Sequence, residues 1–354
     1  MSVFYDGVRL LSMKDLDGNK PTFLICTSNR TAGKTTYYNR YFINRFLKYK
    51  EKFMLMYRYK TELSDVAEKF FKDIGGLFFS EWVMITKSKA QGAFHTIYLS
   101  SKKDPEADPI ECGYAVPING ADALKKYSHE FSDVQRVMFD EFQPEDKGTY
   151  CLNEVNKFLS IMTSVSRGQG KQYRFVQCFL IGNSVSILNP YYIRMGITER
   201  LRDDTKFLRG HGWVLEQGFN EGASQAILES GIAKAFPDSA YVAYAAEGVY
   251  LNDSKTFIER PAGRTRYIAT IRYQDVDYAI RECTDAGLLY CDKSIDASYK
   301  FKLAVTTPDH NINYIIIKQH DRFISQMREF FEKGCFRFKD LQCKDAVLKL
   351  ISYI

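Results

Sequence analysis

The 354-residue chain lacks the marks of several large protein classes. No apolar run approaches the ~20 residues of a membrane-spanning helix, and the stretch NYIIIK is far too short. No basic-then-apolar leader opens the sequence, so export is not expected. The eight cysteines form no C-x-x-C pair, which argues against a zinc module or a disulfide framework. Thiols dispersed in this way fit a reducing cytoplasm and are expected to be mostly buried. Charge of one sign is also modest: a net +6 permits an anionic partner without demonstrating one. What is present, 45% apolar and 15% aromatic residues, is the composition of a globular protein long enough for two domains.

The basic residues are clustered. Residues 36–60 hold Arg40, Arg45, Lys48, Lys50, Lys52, Arg58 and Lys60 against Glu51 alone. A solvated helix face commonly produces such a run; a nucleic-acid contact is the other reading.

Residues 28–35 read SNRTAGKT. An apolar run, TFLIC, precedes them, and Tyr38, Phe42 and Phe46 follow at helical spacing. Strand, loop and helix is the context in which Gly-Lys-Thr cradles phosphate, with backbone N–H groups and the helix N-terminus facing the anion. Lys34 would reach the β/γ oxygens, Thr35 would put its hydroxyl on Mg²⁺, and Gly33 would allow close backbone approach. Ser28 stands where the pattern has glycine, so the opening turn is expected to form without glycine's freedom at positive φ. Taken alone, Gly-Lys-Thr also fits a simple loop-to-helix cap.

VQRVMFDEF, residues 134–142, supplies the second half of a site. Its apolar strand ends in Asp140-Glu141. The first carboxylate suits Mg²⁺, and the second can act as general base on water. Two adjacent acids suit hydrolysis rather than a nucleotide switch. A third strand, FVQCFLIGNS, ends in Asn183, which either reads the γ-phosphate and lytic water or caps a turn. Between these strands Val155, Phe158, Leu159 and Met162 mark a helix that ends near Arg167-Gly168. In ring ATPases such an arginine enters a neighbour's site; on sequence alone a solvated surface arginine is the simpler reading.

INRFLKYKEKFMLMYRYKTEL, VMFDEF, NEVNKFLSIMTSVSR and GNSVSILNPYY occur in the order seen in the DNA-encapsidation ATPases of small short-tailed phages, the phi-twenty-nine type, which this chain resembles from residue 21 to about residue 195. The resemblance implies an α/β P-loop NTPase domain of ASCE type, with a central, mostly parallel sheet, working with ATP and Mg²⁺ as a homomeric ring on a procapsid portal. Five subunits are the family expectation, and some relatives use a structural RNA. It places residues 28–36 (Ser28, Asn29, Arg30, Thr31, Ala32, Gly33, Lys34, Thr35, Thr36) and Asn183 at the nucleotide, Thr35 and Asp140 at the metal, and Lys34, Glu141 and Arg167 in catalysis. Arg167 falls on the family's trans-acting arginine, and Lys125 and Lys126 lie near a lysine also proposed to act in trans.

The expected domains are residues 1–195 for the ATPase, 196–219 for a linker and 220–354 for an α+β module. In the last, YVAYAAEGVYL, RYIATIRYQ, VDYAIREC and GLLYCDKS read as β-rich runs before a helix at residues 321–333. The resemblance makes it an RNase H-like fold. YIATIRY carries no carboxylate, and Asp275, Asp277 and Asp292 sit where acidic turn residues are ordinary, so a docking and DNA-gripping role without cleavage is expected. Arg40, Lys48, Arg200, Arg202 and Arg209 are candidate DNA contacts. The expected function is a translocase for double-stranded DNA in the cytoplasm of an infected host. An ATP-dependent assembly switch and a helicase-like ATPase on single strands are the alternatives.

Overall fold

A computed structural model describes residues 4–145, 150–198, 200–202, 205–237, 239–248, 250, 257–316 and 321–351. The chain divides into two compact units, residues 1–187 with 195–251, and residues 188–194 with 252–354.

The first unit is built on a nine-stranded sheet: β1 (Phe23–Ser28), β2 (Lys52–Tyr57), β3 (Trp82–Lys89), β4 (Phe94–Ser101), β5 (Ile110–Pro117), β6 (Val134–Asp140), β7 (Gln177–Asn183), β8 (Phe207–Gly210) and β9 (Trp213–Gln217). Their order across the sheet is β3-β4-β5-β2-β6-β7-β1-β9-β8. The central strands β5, β2, β6, β7, β1 and β9 pair in parallel, and β3, β4 and β8 add antiparallel edges. Central parallel strands are covered on both faces, which is why FLIC, FMLM and VMF are unbroken apolar runs. The helix Lys34–Tyr49 buries Tyr38, Phe42 and Phe46, as their spacing requires. Phe42 meets Phe179 with ring centroids 5.1 Å apart and Phe53 at 5.8 Å. Each such ring removed from water contributes about 2–3 kcal/mol. Seven of the cysteines are buried. No described helix is long and apolar enough to cross a membrane.

Two expectations are corrected here. Residues 196–219 are not merely a linker, because β8 and β9 lie within them and β9 pairs with β1 from Phe23↔Trp213 to Thr27↔Gln217. The run beginning YVAYAAE is helical over Ala240–Glu247, not β. The Ser239 side chain accepts from the Tyr241 N–H at one end, and Gly248 takes φ 71° at the other, so both termini carry stop signals. The second unit therefore takes up residues from 252, with the short segment 188–194, rather than starting at 220.

The second unit carries a mixed five-stranded sheet: β10 (Thr265–Tyr273), β11 (Val276–Cys283), β12 (Leu288–Asp292), β13 (Lys302–Ala304) and β14 (Phe336–Phe338), in the order β13-β10-β11-β12-β14. β10, β11 and β12 form an antiparallel meander, and β13 and β14 flank it in parallel. Helices Arg322–Glu332 and Leu341–Ile351 close its core through Ile324, Met327, Val347 and Leu350. This is the separate α+β module expected.

Candidate active site

The carboxyl ends of β1, β6 and β7 bring the sequence-predicted residues together, as parallel sheets do with their ligand sites. Ser28 ends β1 opposite Asn183 at the end of β7. The loop then turns with Thr31 at φ 57° and Gly33 at φ 92°. Ser28 itself has no positive φ, so the missing glycine leaves the opening geometry intact. Instead its hydroxyl accepts from Lys34 Nζ at 2.7 Å and donates to the Asn29 carbonyl at 2.9 Å. Lys34 Nζ also donates to the Asn29 carbonyl at 3.2 Å and to Asn183 Oδ1 at 3.1 Å. This cation is buried, 5% exposed, and burial holds its pKa below the ordinary lysine value. Three neutral oxygens hydrogen-bond it, which offsets part of the cost of burying the charge.

The rest of the loop is clamped from three sides. Asn29 is buried; its amide donates to the carbonyls of Asn220 and Ala246 and accepts from the Asn220 N–H. Arg30 donates its N–H to Ala245 O at 3.1 Å, pairs with Glu145 at 2.8 Å and contacts the Tyr241 hydroxyl. Ala32 O accepts from Tyr5 N–H at 2.8 Å. Thr36 lies in the first turn of the helix that follows, whose N-terminus opens on the loop.

Asp140 ends β6 and is hydrogen-bonded to the Thr35 hydroxyl; burial, then the Glu141 charge, pushes its pKa up to about 6. Glu141 follows at φ 54°, a left-handed conformation that costs a non-glycine residue on the order of 1 kcal/mol. Its N–H donates to Asp140 Oδ1 at 3.0 Å. A cleft of about 390 Å³ opens beside the acids, lined by Thr35, Asn39, Glu62, Asp140 and Glu141 among others.

Arg58 is the residue the sequence reading missed. It belongs to the basic run 36–60, yet it is only 6% exposed. Its guanidinium holds Glu154 through two hydrogen bonds of 2.8 and 3.1 Å and donates to Phe142 O at 3.1 Å and Glu141 O at 3.4 Å. It therefore fixes the turn that presents Glu141. Other members of the run are also paired, Arg45 with Glu51 and Lys52 with Glu111 and Asp133.

Arg167 lies elsewhere. Glu154 begins the helix Glu154–Val165, beside the acids, and Arg167 follows its far end. Twelve residues of helix span about 18 Å. Arg167 is exposed. Lys125 and Lys126 are exposed on the segment leading into β6, and Lys125 pairs with Asp122 at 2.9 Å. Among the DNA-contact candidates, Arg40 stacks on Phe78 at 4.3 Å and Lys48 sits over Tyr49 at 5.0 Å. Arg200 donates to Arg209 O at 2.6 Å, while Arg202 and Arg209 are exposed. Of the residues whose spacing marked the helix Glu154–Val165, Phe158 and Met162 are buried and Leu159 is 44% exposed.

In the second unit the three acids are engaged separately. Asp275 pairs with Arg194 at 2.5 Å, Asp277 accepts from the Tyr314 hydroxyl at 2.6 Å and Asp292 pairs with Arg281 at 3.1 Å. Among the described residues no three His, Cys, Asp or Glu side chains gather into a metal-holding group.

The central parallel sheet, with a lysine loop after β1 and paired acids at the end of β6, on either side of β7, defines an α/β nucleotide hydrolase, fused to a smaller α+β domain. The family model for the Podovirus DNA encapsidation protein (Gp16) matches residues 1–353, and the chain belongs to that family. The DNA packaging protein of Bacillus phage phi29 is 25% identical over 352 residues, 99% of this chain and 97% of the relative. Among solved structures, the bacteriophage Phi-29 viral genome packaging motor assembly matches at TM-score 0.66 and 24% identity, covering 99% of this chain and 98% of that one. The Phi-28 gp11 DNA packaging motor has the same fold at TM-score 0.60 and 12% identity, covering 99% and 98%.

Proposed function

We propose that this chain hydrolyses ATP to drive double-stranded DNA into a viral procapsid, as a homomeric ring seated on the portal. One observation carries the hydrolysis: Lys34, Thr35 and Asp140 meet at the ends of three parallel strands, with Glu141 beside them. Lys34 trades its three neutral oxygens for those of the β- and γ-phosphates, and residues 28–36 wrap them with backbone N–H groups. The donors suit magnesium, a hard cation that takes oxygen ligands; held by the Thr35 hydroxyl and Asp140, it would offset phosphate charge. Glu141 takes a proton from the attacking water. Asn183, already on Lys34, is placed to follow the change in charge there.

The position of Arg167 supports a shared site. About 18 Å of helix separates it from its own acids, so it serves the next subunit, where it would stabilise charge on the transferring phosphoryl group. Lys125 and Lys126 are read as auxiliary cations for that neighbour. Arg40, Lys48, Arg200, Arg202 and Arg209 are assigned to phosphate contacts that do not depend on sequence. The second unit is read as a docking and DNA-gripping module; plasmid nicking in Mn²⁺ that vanishes with Asp292→Asn would overturn that reading. A pentameric ring is the reading adopted, and the mass of the assembled motor on procapsids checks it. Loss of packaging after ribonuclease treatment would add a structural RNA.

Steady-state ATP hydrolysis with and without duplex DNA, across protein concentrations, tests the whole. Duplex stimulation and specific activity rising with concentration are expected. Stimulation by single strands alone would favour the helicase-like class, and tight binding without turnover would favour the switch.

A further inference from the structure

The turn that carries Arg167 has its own buried anchor. Arg174 lies between the exposed rings of Tyr173 and Phe175 and points inward, 8% exposed. Its Nη2 donates to Val165 O at 2.7 Å, its Nε to Arg167 O at 3.3 Å and its Nη1 to Val134 O at 3.2 Å. Its backbone N–H donates to Ser166 O at 2.7 Å. Among the described residues no carboxylate forms a direct ion pair with it, although the Asp133 charge acts on it from a distance.

The physical reason is the end of a helix. The last carbonyls of Glu154–Val165 have no partner within the helix, and its C-terminus carries partial negative charge that favours a cation. Arg174 supplies donors to three segments at once: the helix end, the turn after it and the first residue of β6. A planar fork with donors aimed in several directions does this, and a lysine ammonium cannot reproduce it. Gly168 fixes the other side of the turn: it has φ 105°, and an added Cβ would lie 2.7 Å from Ser132 Cβ.

We infer that Arg174 is the positioning residue for Arg167, holding the outward-facing guanidinium at the height a neighbouring subunit's site requires. The inference rests on the reading of Arg167 as a trans-acting residue. A displacement of about 1 Å at a catalytic group can cost 100-fold in rate, so the anchor bears on turnover and not on nucleotide binding.

The test uses full-length protein assembled on procapsids. Arg174→Lys and Arg174→Met should lower kcat about 10- to 100-fold while leaving nucleotide affinity within about threefold. Subunits with Arg174→Lys keep an intact acceptor site, so mixing them with Glu141→Gln subunits, which keep an intact Arg167 turn, should restore turnover. In an Arg167→Ala background the Arg174 substitutions should cost nothing further. Absence of rescue in verified mixed rings, or losses that multiply in the double variant, would reduce Arg174 to a stabilising cap and sink the inference, leaving Arg167 in place. Full activity of Arg167→Ala itself would overturn the trans reading as well. Should Arg174 variants fail to fold, Gly168→Ala displaces the same turn from its opposite side, and the same rescue and non-additivity decide.

Discussion

The two ends of one helix make an instructive pair. At the first residue of Glu154–Val165, Arg58 is buried with its counter-ion, Glu154, and spends its remaining donors on the turn of Glu141. Beyond the last residue, Arg174 is buried against carbonyl oxygens and holds the turn of Arg167. Both fix backbone rather than substrate. The difference is in how the charge is held: a hydrogen-bonded carboxylate at one end; at the other, carbonyls of the helix's own negative terminus, with the charge of Asp133 acting from a distance. A buried arginine can thus shape a site in two ways, and they should fail differently.

The largest expected effect removes the group that the Arg58 end exists to present. Glu141→Gln should lose about 10²- to 10⁴-fold in turnover and still bind ATP; undiminished hydrolysis would place the base elsewhere. Next, Arg58→Met alone should destabilise the protein by about 3–5 kcal/mol, because Glu154 is left buried and unpaired, whereas Arg58→Met with Glu154→Leu should recover much of that loss. Turnover should stay low in the pair, since the Glu141 turn is no longer held. Denaturant midpoints and ATPase rates on the same samples separate the two. If the double variant stays unstable or regains full rate, the contrast between the two ends is wrong.

A smaller effect comes from Asp140. Its folded pKa of about 6 lies above the ordinary 3.8, so between those values the folded state holds a proton that the unfolded chain has lost. Stability therefore falls as pH rises through that window. Asp140→Asn should raise the stability of the nucleotide-free protein above pH 6, by on the order of 1–2 kcal/mol after solvent screening, and not below about pH 4. A thermal-unfolding series over pH checks this; a gain that grows with acidity would reverse the sign. Smallest of all, Ser28→Gly removes an oxygen that Lys34 gives up to phosphate, so it should cost the nucleotide-free protein about 1 kcal/mol of stability and leave nucleotide binding unchanged or a few-fold tighter; denaturant midpoints and a nucleotide titration check this, and markedly weaker binding would mean that the serine hydroxyl stays in the loaded site.

The parts of this molecule that were legible in its sequence are those whose information is local. Gly33-Lys34-Thr35, Asp140-Glu141 and the aromatic spacing of residues 38, 42 and 46 announce themselves within a few positions. Arg58 and Arg174 did not, because what distinguishes them from solvated arginines is a carboxylate 96 residues away and a carbonyl 40 residues away. β9 was hidden because WVLEQ is short and lies in a charged stretch, and only pairing with β1 makes it a strand. Residues 240–247 looked extended because tyrosine and valine favour strands, and the caps at Ser239 and Gly248 overrode that preference. The serine in the phosphate loop was read as a deficit of backbone freedom, when its hydroxyl is a ligand to Lys34.

The helix between the two arginines is also a lever of fixed length. Its first residue is tied through Arg58 to the turn of Glu141, and Arg167 follows its last. A tilt of about 5° in a rod of about 18 Å swings the tip by about 1.5 Å. That is comparable to the tolerance of a catalytic contact, so, on the proposed trans role of Arg167, a rotation too small to see in the fold would engage or withdraw the arginine.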